Sequence, residues 1–261
     1  MFVLDKWYFD VIAPDGTAFI GYTASLGWLG MTVGYDACLL SPPDAPARER
    51  SSVGGSHPPA RHPDDIAWHS PGIDVSGTWR RMAPRLRRRL HKDARGSVLW
   101  SCEQPRAHAR VKVGDDALEG AGYVERLRMT VTPADLPIDT LHWGRFHAPG
   151  ETLVWIAWQY GTGGSWIFRN GVRQARAGLL DQGIFGLDGG AFLEFSGRRA
   201  LRDRYVLPAL AAVPGIGRRA GGRLANMRET KWVGCGVLRG TDAQPQGWLI
   251  HEEVTWRAHR D

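Results

Sequence analysis

Leu118 to Tyr160 reads LEGAGYVERLRMTVTPADLPIDTLHWGRFHAPGETLVWIAWQY, and its first half alternates with the period of a β-strand. The alternation predicts one face that is apolar apart from its carboxylates and that carries Tyr123 and Glu125. The opposite face carries Arg126 and Arg128, which predicts that this side of the strand is exposed to water. A carboxylate on the apolar face is costly unless it is paired or used in chemistry, so Glu125 is the first candidate functional residue.

The same order of motifs occurs twice along the chain. Residues 6–24 read KWYFDVI, APDG and TAFIGYTA, and residues 141–159 read LHWGRFH, APGE and TLVWIAWQ. The strand GAGYVERLRM contains Glu125, and GWLIHEEVTW near the end of the chain contains Glu252 at the same distance from its first glycine. This order predicts a duplicated β domain, because each half contains an aromatic strand, a tight turn, a return strand and a closing strand.

Proline-rich segments mark the limits of the two halves. TPADLP at Thr132–Pro137 is the predicted boundary, which gives a first β domain over 1–134 and a second over 135–261. Within the first domain, residues 41–71 are rich in proline, serine, glycine and charge, which predicts a long mobile loop whose histidines are exposed to solvent. Two antiparallel barrels or barrel-like sheets with few helices are the simplest architecture for this pattern.

The composition argues against several classes of protein. Cys38, Cys102 and Cys235 lie far apart with no CxxC motif, which predicts free thiols in a reducing compartment. The N-terminal segment lacks the pattern of a signal peptide, and no apolar run is long enough to cross a bilayer, so we expect a cytoplasmic protein. The sequence shows no cofactor motif and no regular metal-ligand spacing, so we expect neither a cofactor nor a metal.

The most basic segment is Trp79–Lys92, WRRMAPRLRRRLHK, in a chain whose formal net charge is +6. No nucleic-acid-binding motif accompanies it, and acidic residues return soon afterwards, so no nucleic-acid partner is predicted. A charged sheet edge or surface loop accounts for the segment, because such charges discourage edge-to-edge pairing of strands. Peripheral contact with a membrane surface is the alternative that the net charge leaves open.

Three short motifs carry a resemblance to a known family. The opening strand Trp7–Asp10 (WYFD), the pair Gly122–Tyr123 and the strand Trp143–Phe146 (WGRF) resemble the hydroxyneurosporene synthase (carotenoid 1,2-hydratase) family. That family is itself similar to lipocalin-like Diels–Alderases. The resemblance implies a tandem pair of lipocalin-like (calycin) antiparallel β-barrels, an apolar ligand, and acid-assisted alkene or cyclisation chemistry.

These observations favour a cofactor-independent enzyme, a hydratase, isomerase or cyclase, that acts on an apolar isoprenoid- or polyketide-like molecule. Burial raises the pKa of a carboxyl group, so Glu125 is predicted to donate a proton, which Tyr123 on the same strand face would share. The chain has 12 tryptophans, whose rings can line a cavity or shield a developing cation. The predicted substrate-binding residues are Tyr8, Trp143, Arg145, His147, Trp155, Trp158 and Glu252.

Two alternatives are open at this point. Each glutamate could be structural, paired with an arginine such as Arg145 or with the amides of a closing loop. The protein could also bind a small hydrophobic ligand without chemistry, because barrel folds do so and a fold does not determine a function. Loss of turnover with retained ligand affinity in Glu125→Gln distinguishes the enzyme from the binding protein.

Overall fold

β-Strands dominate the structure, a computed structural model that describes residues 1–28, 30–159, 164–206 and 226–256. In this part of the chain the only helical segments are short 3-10 turns at Pro71–Ile73, Pro133–Asp135 and Asp188–Gly190. None of the described helical segments has the length and apolar character needed to span a membrane. The predicted all-β fold with few helices is confirmed.

The chain forms two compact units, Met1–Thr132 and Pro133–Asp261. The strands of the first unit are β1 (Val3–Ile12), β2 (Ala18–Trp28), β3 (Met31–Ser41), β4 (Arg48–Val53), β5 (Ala60–Arg61), β6 (Asp65–Ser70), β7 (Val75–Arg81), β8 (Leu86–Asp93), β9 (Gly96–Val113) and β10 (Asp116–Met129). They form one antiparallel sheet in the order β4-β3-β2-β1-β10-β9-β7-β6-β5, and β8 pairs with β9 beside this path. The first and last strands of the unit therefore lie side by side in the middle of the sheet.

The second unit repeats this plan. Its strands are β11 (Thr140–Ala148), β12 (Glu151–Gln159), β13 (Gly164–Arg169), β14 (Val172–Arg173), β15 (Gly178–Leu180), β16 (Gly183–Phe185), β17 (Phe192–Tyr205), β18 (Met227–Arg239) and β19 (Gln246–Trp256). They are ordered β14-β13-β12-β11-β19-β18-β17-β16-β15, so the first strand again pairs with the last. Each unit is a curled antiparallel sheet, and the predicted tandem architecture is confirmed.

The ladders place the two glutamates at equivalent steps of the two sheets. Tyr8 of β1 lies opposite Glu125 of β10, and Trp143 of β11 lies opposite Glu252 of β19. The alignment of the two halves made from the sequence therefore agrees with the pairing of the strands. The two units therefore share the order of their strands and also the register in which the first strand pairs with the last.

A glycine near the start of each closing strand supports the same equivalence. A Cβ atom on Gly120 would overlap the backbone of Ile12, and a Cβ atom on Gly247 would overlap the backbone of His147. In each unit the closing strand approaches the end of the first strand too closely for any side chain. The same packing requirement therefore demands a glycine at the equivalent position of each unit.

The interior of the first unit lies on the arginine-bearing side of β10, which the sequence predicted to be exposed to water. Val124, on the arginine-bearing face of β10, is completely buried in the core, so that prediction is wrong. Arg126, further along the same face, hydrogen-bonds Asp5 and lies 5.2 Å from the ring centre of Trp7. The guanidinium thus covers the end of the core while its charge is paired. The main core residues are Trp7, Phe9, Val11, Phe19, Trp68, Trp79 and Val124.

The second unit has its own core on the corresponding side of its sheet. We call this side the interior face of each unit and the opposite side its outer face. Alternate residues of β11 and β12 supply the interior face, as expected for strands that carry apolar side chains on both sides. The main members of this core are Phe146, Leu153, Trp155, Ile167, Leu193, Leu238 and Leu249.

Residues 41–71, predicted as a mobile loop, instead contain strands β4, β5 and β6. The histidines of this segment are exposed, as predicted, but the ring of His57 is also held in place. Its Nδ1 lies 2.5 Å from Oδ2 of the buried Asp36 on β3, and the Ser70 hydroxyl at the end of β6 donates to the same oxygen at 2.6 Å. Asp36 therefore connects a strand near one edge of the curled sheet to a strand near the other. Long-range contacts of this kind do not appear in local composition.

The basic segment forms the end of β7 and most of β8. Leu86 and Leu90 are buried, and the intervening Arg87, Arg88 and Arg89 are exposed. In the described residues β8 pairs only with β9, so it is a charged edge strand, as predicted.

Candidate functional site

One carboxylate oxygen in the first unit receives two hydrogen bonds. The Tyr123 hydroxyl donates to Oε2 of Glu125 at 2.7 Å, and the Trp100 indole Nε1–H donates to the same oxygen at 2.5 Å. Donors that converge on one oxygen fix the direction of the carboxyl group and stabilise negative charge on it. Tyr123 and Trp100 are almost completely buried, so the carboxyl group is held in apolar surroundings.

Two adjacent strands position these three side chains. Tyr123 and Glu125 are two residues apart on β10, so both project from the outer face. Trp100 comes from β9, where it lies opposite Leu127. The register between β9 and β10 shifts twice between Gly122 and Glu125, and such irregularities redirect side chains beside functional sites.

The surroundings of this site are aromatic and contain a thiol. The ring centre of Tyr8 lies 5.4 Å from that of Tyr22 and 6.0 Å from that of Tyr123. Cys102 lies directly across the ladder from Glu125. Burial raises the pKa of the Tyr123 hydroxyl well above its usual value, and the nearby Cys102 and Glu125 add to this effect. Tyr123 therefore remains a protonated donor at neutral pH.

The equivalent glutamate of the second unit has a different neighbour. Lys231 lies directly across the ladder from Glu252 and forms an ion pair with its Oε2. The same ammonium group donates to Oε1 of Glu229 at 2.8 Å, and Arg202 lies 3.3 Å from the other oxygen of Glu229. Lys231 is fully buried, so these carboxylates compensate a charge that has no access to water. The contacts give Glu252 a structural role in an ion network.

Three other predicted site residues share the outer face of the second unit with Glu252. Trp143, Arg145 and His147 alternate along β11, and all three are buried. A guanidinium nitrogen of Arg145 lies 3.2 Å from Nδ1 of His147. Trp158 of β12 is half-buried. Its ring packs edge-on against Trp166, with ring centres 4.8 Å apart.

Trp155 projects from the opposite side of the sheet, into the core of the second unit. Its indole Nε1–H donates to Nδ1 of His251 at 3.3 Å, and its ring stacks on Phe195 with centres 5.6 Å apart. Trp143 and Trp155 therefore lie on opposite faces and cannot line one surface of this sheet. Burial, with smaller contributions from nearby His142 and Arg198, lowers the pKa of His251 to about 3, so its imidazole is neutral at physiological pH.

Sequence reasoning missed four residues that complete these arrangements. Trp100, Cys102 and Lys231 contact or face the glutamates only because of the strand register, and no local pattern encodes that register. His251 carried a weak signal, because it directly follows the buried Ile250 and shares a strand face with the buried Leu249. A polar residue beside buried apolar residues on a central strand is therefore worth testing as an interior group.

The chain was also compared with known proteins. No protein-family model and no curated protein sequence matches it. Solved structures match over almost the whole length. The crystal structure of CghA superposes with a TM-score of 0.64 at 12% identity, over 100% of this chain and 90% of that chain. CghA with Sch210972 gives 0.61 at 13% identity, over 97% and 88% of the two chains.

A third similar structure is kievitone hydratase from Nectria haematococca. It has a TM-score of 0.53 at 10% identity and covers 98% of this chain and 89% of that chain. At such low identity the likeness shows the fold. The chain has the tandem lipocalin-like fold that the sequence resemblance implied.

Proposed function

We propose that this protein is a cofactor-independent enzyme of the hydratase, isomerase or cyclase type that acts on an apolar isoprenoid- or polyketide-like molecule. In this proposal Glu125 transfers the proton. The observation that carries it is the convergence of the Tyr123 hydroxyl and the Trp100 indole on one oxygen of Glu125. Such a group, half-buried beside aromatic rings, suits proton transfer to a molecule that has no charge of its own.

The chemistry follows from the change in charge on Glu125. The carboxyl group gives its proton to a carbon of an alkene or enol, and a carboxylate and a carbocation result. Tyr123 and Trp100 then donate to an oxygen that has become negative, so their hydrogen bonds strengthen as the proton leaves. The ring of Tyr8 nearby provides a π face for the cation. The cation is consumed by capture of water and loss of a proton, by loss of a neighbouring proton, or by attack of a second double bond followed by loss of a proton from the new cation. In each case the released proton restores the acid form of Glu125.

The fold supports the same class of reaction. Kievitone hydratase is a hydratase by name, CghA has been crystallised with the compound Sch210972, and both share the tandem lipocalin-like fold of this chain. The fold is therefore compatible with hydration and with the binding of a small molecule. Whether the reaction is a hydration, an isomerisation or a ring closure depends on the substrate and on the aromatic residues around Glu125.

Glu125→Gln tests the proposal. Native mass spectrometry of the purified protein identifies a co-purified apolar molecule, and liquid chromatography with mass spectrometry follows its conversion to an isomer or to a product heavier by one water. We expect Glu125→Gln to lower turnover by about 10²–10⁴-fold, because it removes the transferable proton. Tyr123→Phe should lower turnover by about tenfold or more, because one donor to the developing carboxylate is lost. Ligand affinity should be retained in both variants.

The matched control is Glu119→Gln. Glu119 lies on the same strand, but it is exposed and pairs with Arg110 at 3.1 Å. Its replacement should leave turnover unchanged. Wild-type turnover in a correctly folded Glu125→Gln protein would contradict the proposed role.

A binding protein without turnover is the second candidate, because barrel folds hold apolar ligands without chemistry and a fold does not determine a function. This candidate predicts a co-purified ligand that is recovered unchanged from wild type and from Glu125→Gln alike.

A further inference from the structure

The exposed arginines of the basic segment Trp79–Lys92 differ from other exposed arginines of the first unit. Arg48, Arg50 and Arg110 each lie within 3.5 Å of a carboxylate oxygen. The basic segment contains no acidic residue, and of its exposed arginines only Arg85 pairs with a carboxylate from elsewhere in the described chain. We call the others the cationic edge: Arg80, Arg81, Arg87, Arg88 and Arg89. Four of these have no acidic partner among the described residues: Arg80, Arg81, Arg87 and Arg89.

The cationic edge forms a stripe, because β7 and β8 lie end to end along β9. Arg80 lies opposite His108 of β9, and Arg89 lies opposite Leu99. The stretch of β9 between these two partners is about 30 Å long at the rise of an extended strand. Side chains alternate along β8, so the charges project from both sides of the strand. A partner would therefore meet the edge itself rather than one face of the sheet.

Protection against strand pairing accounts for only part of this charge. Among the described strands β8 pairs only with β9, so its arginines do guard a free edge. The end of β7 has neighbours on both sides, because Arg80 lies between Asp65 of β6 and His108 of β9. Arg80 therefore guards no free edge. Unpaired positive charge that continues onto a protected strand indicates a partner with negative charge.

Residues 82–85 join β7 to β8 and place an apolar side chain between the arginines. Met82 is 57% exposed, and its backbone N–H donates to the carbonyl oxygen of Arg106 on β9 at 2.9 Å. This hydrogen bond holds the connection against the sheet. An exposed apolar side chain flanked by arginines has the amphipathic character of segments that enter the headgroup region of a bilayer. A nucleic-acid backbone would be held by the arginines alone, so Met82 favours a lipid surface.

We propose that the cationic edge binds a membrane surface that contains anionic lipids. The guanidinium groups contact the phosphates and carboxylates of the headgroups, and Met82 lies at the boundary between headgroups and acyl chains. The contact is peripheral and reversible, because it depends on charge and buries one large apolar side chain. It involves the surface of the first unit and does not require the reaction proposed at Glu125.

Cosedimentation of the full-length protein with lipid vesicles tests the proposal. One set of vesicles is pure phosphatidylcholine, and the other contains about 30% phosphatidylserine. In about 0.1 M sodium chloride we expect the affinity for the anionic vesicles to be about tenfold higher or more. Binding should be lost in about 0.5 M sodium chloride, because salt screens the charges.

A combined variant assigns the effect to the cationic edge. It replaces four exposed arginines by glutamine: Arg80→Gln, Arg81→Gln, Arg87→Gln and Arg89→Gln. Each arginine close to an anionic surface contributes about fivefold to affinity, so we expect a loss of about 10²-fold or more. The thermal unfolding temperature should stay near that of wild type, because all four side chains are exposed.

The matched control removes four exposed arginines that pair with carboxylates elsewhere: Arg48→Gln, Arg50→Gln, Arg228→Gln and Arg239→Gln. Both combined variants lower the formal net charge from +6 to +2. The control should lose about threefold in affinity or less, because charges beyond about 10 Å from the contact are screened. Met82→Ser should weaken binding about three- to tenfold, because less apolar surface leaves the water.

Equal losses in the two combined variants, equal affinity for the two kinds of vesicle, or binding that persists in about 0.5 M sodium chloride would overturn the proposal. A short duplex DNA that binds wild type as tightly as the anionic vesicles do, with no effect of Met82→Ser, would assign the edge to a nucleic acid and overturn it as well. Vesicle binding is measured without substrate, so its failure is distinguishable from failure of the proposed reaction.

Discussion

Glu125 and Glu252 occupy equivalent steps of the two sheets, and we expect their removal to have opposite consequences. Glu252→Gln removes a carboxylate that pairs with Lys231, which is 0% exposed and also donates to Glu229 at 2.8 Å. Breaking a buried ion pair by removing one partner costs about 3–5 kcal/mol, because the remaining charge stays desolvated. Glu229 still compensates part of that charge, so we expect a loss near the low end, about 3 kcal/mol.

Glu125→Gln should cost much less folding free energy. The amide oxygen of glutamine still accepts hydrogen bonds from Tyr123 and Trp100, and the residue across the ladder is Cys102 rather than a cation. We expect about 1 kcal/mol, the contribution of a weakened hydrogen bond. Turnover, in contrast, should be lost in Glu125→Gln, whereas Glu252→Gln should retain it in the folded protein.

Urea denaturation followed by tryptophan fluorescence and far-UV circular dichroism measures both losses. The double variant Glu252→Gln with Lys231→Met supplies the internal check, because an apolar side chain in place of a buried charge is often neutral or stabilising. It should regain most of the stability that Glu252→Gln alone loses. Equal losses for the two single glutamine variants, or no recovery in the double variant, would refute the assignment of a structural role to Glu252 and of a functional one to Glu125.

Two further predictions concern the second unit. Because the pKa of His251 falls from 6.5 to about 3 on folding, the unfolded chain takes up a proton before the folded chain does as pH decreases through this interval. As the pH decreases through this interval, the free energy of unfolding of wild type should fall by about 1.4 kcal/mol per pH unit relative to that of His251→Phe. Parallel curves of unfolding free energy against pH for the two proteins would contradict the burial of a neutral His251. Gly247→Ala should cost about 2–3 kcal/mol, because its Cβ would overlap the backbone of His147. Gly178→Ala meets open space and should change the thermal unfolding temperature little, so a similar shift in both would show that the close approach is unimportant.

Alternation and repetition in the sequence were sufficient to predict two antiparallel sheets and a pair of equivalent glutamates. Side-chain direction along a strand depends on local sequence alone, so the alternation of residues is enough to place Tyr123 and Glu125 on one face. Which face is interior could not be predicted in the same way. Arg126 suggested a face exposed to water, yet its guanidinium lies over the ring of Trp7 and pairs with Asp5.

The partners of the glutamates depend on register, which local sequence does not determine. Trp100 reaches Glu125 from a neighbouring strand whose pairing with β10 shifts twice beside the site. Asp36 and His57 meet across residues that composition alone describes as a loop. Pairs of this kind become predictable only when the order and register of the strands are known.

A duplicated strand with a glutamate at the same step raises the question of which copy carries the proposed function, and the residues across the two ladders favour Glu125. A fixed lysine cation opposite Glu252 favours the carboxylate form and opposes its protonation. Cys102 opposite Glu125 retains its proton, because burial raises the pKa of the thiol. Tyr123 and Trp100 are neutral hydrogen-bond donors, so they can contact Glu125 in its protonated and in its ionised form. Their hydrogen bonds strengthen when the carboxylic acid becomes a carboxylate. The two units therefore differ at three positions around the glutamate: Cys102, Tyr123 and Trp100 in the first unit stand where Lys231, Ile250 and Glu229 stand in the second. These differences agree with a structural role for Glu252 and with the proton transfer proposed for Glu125.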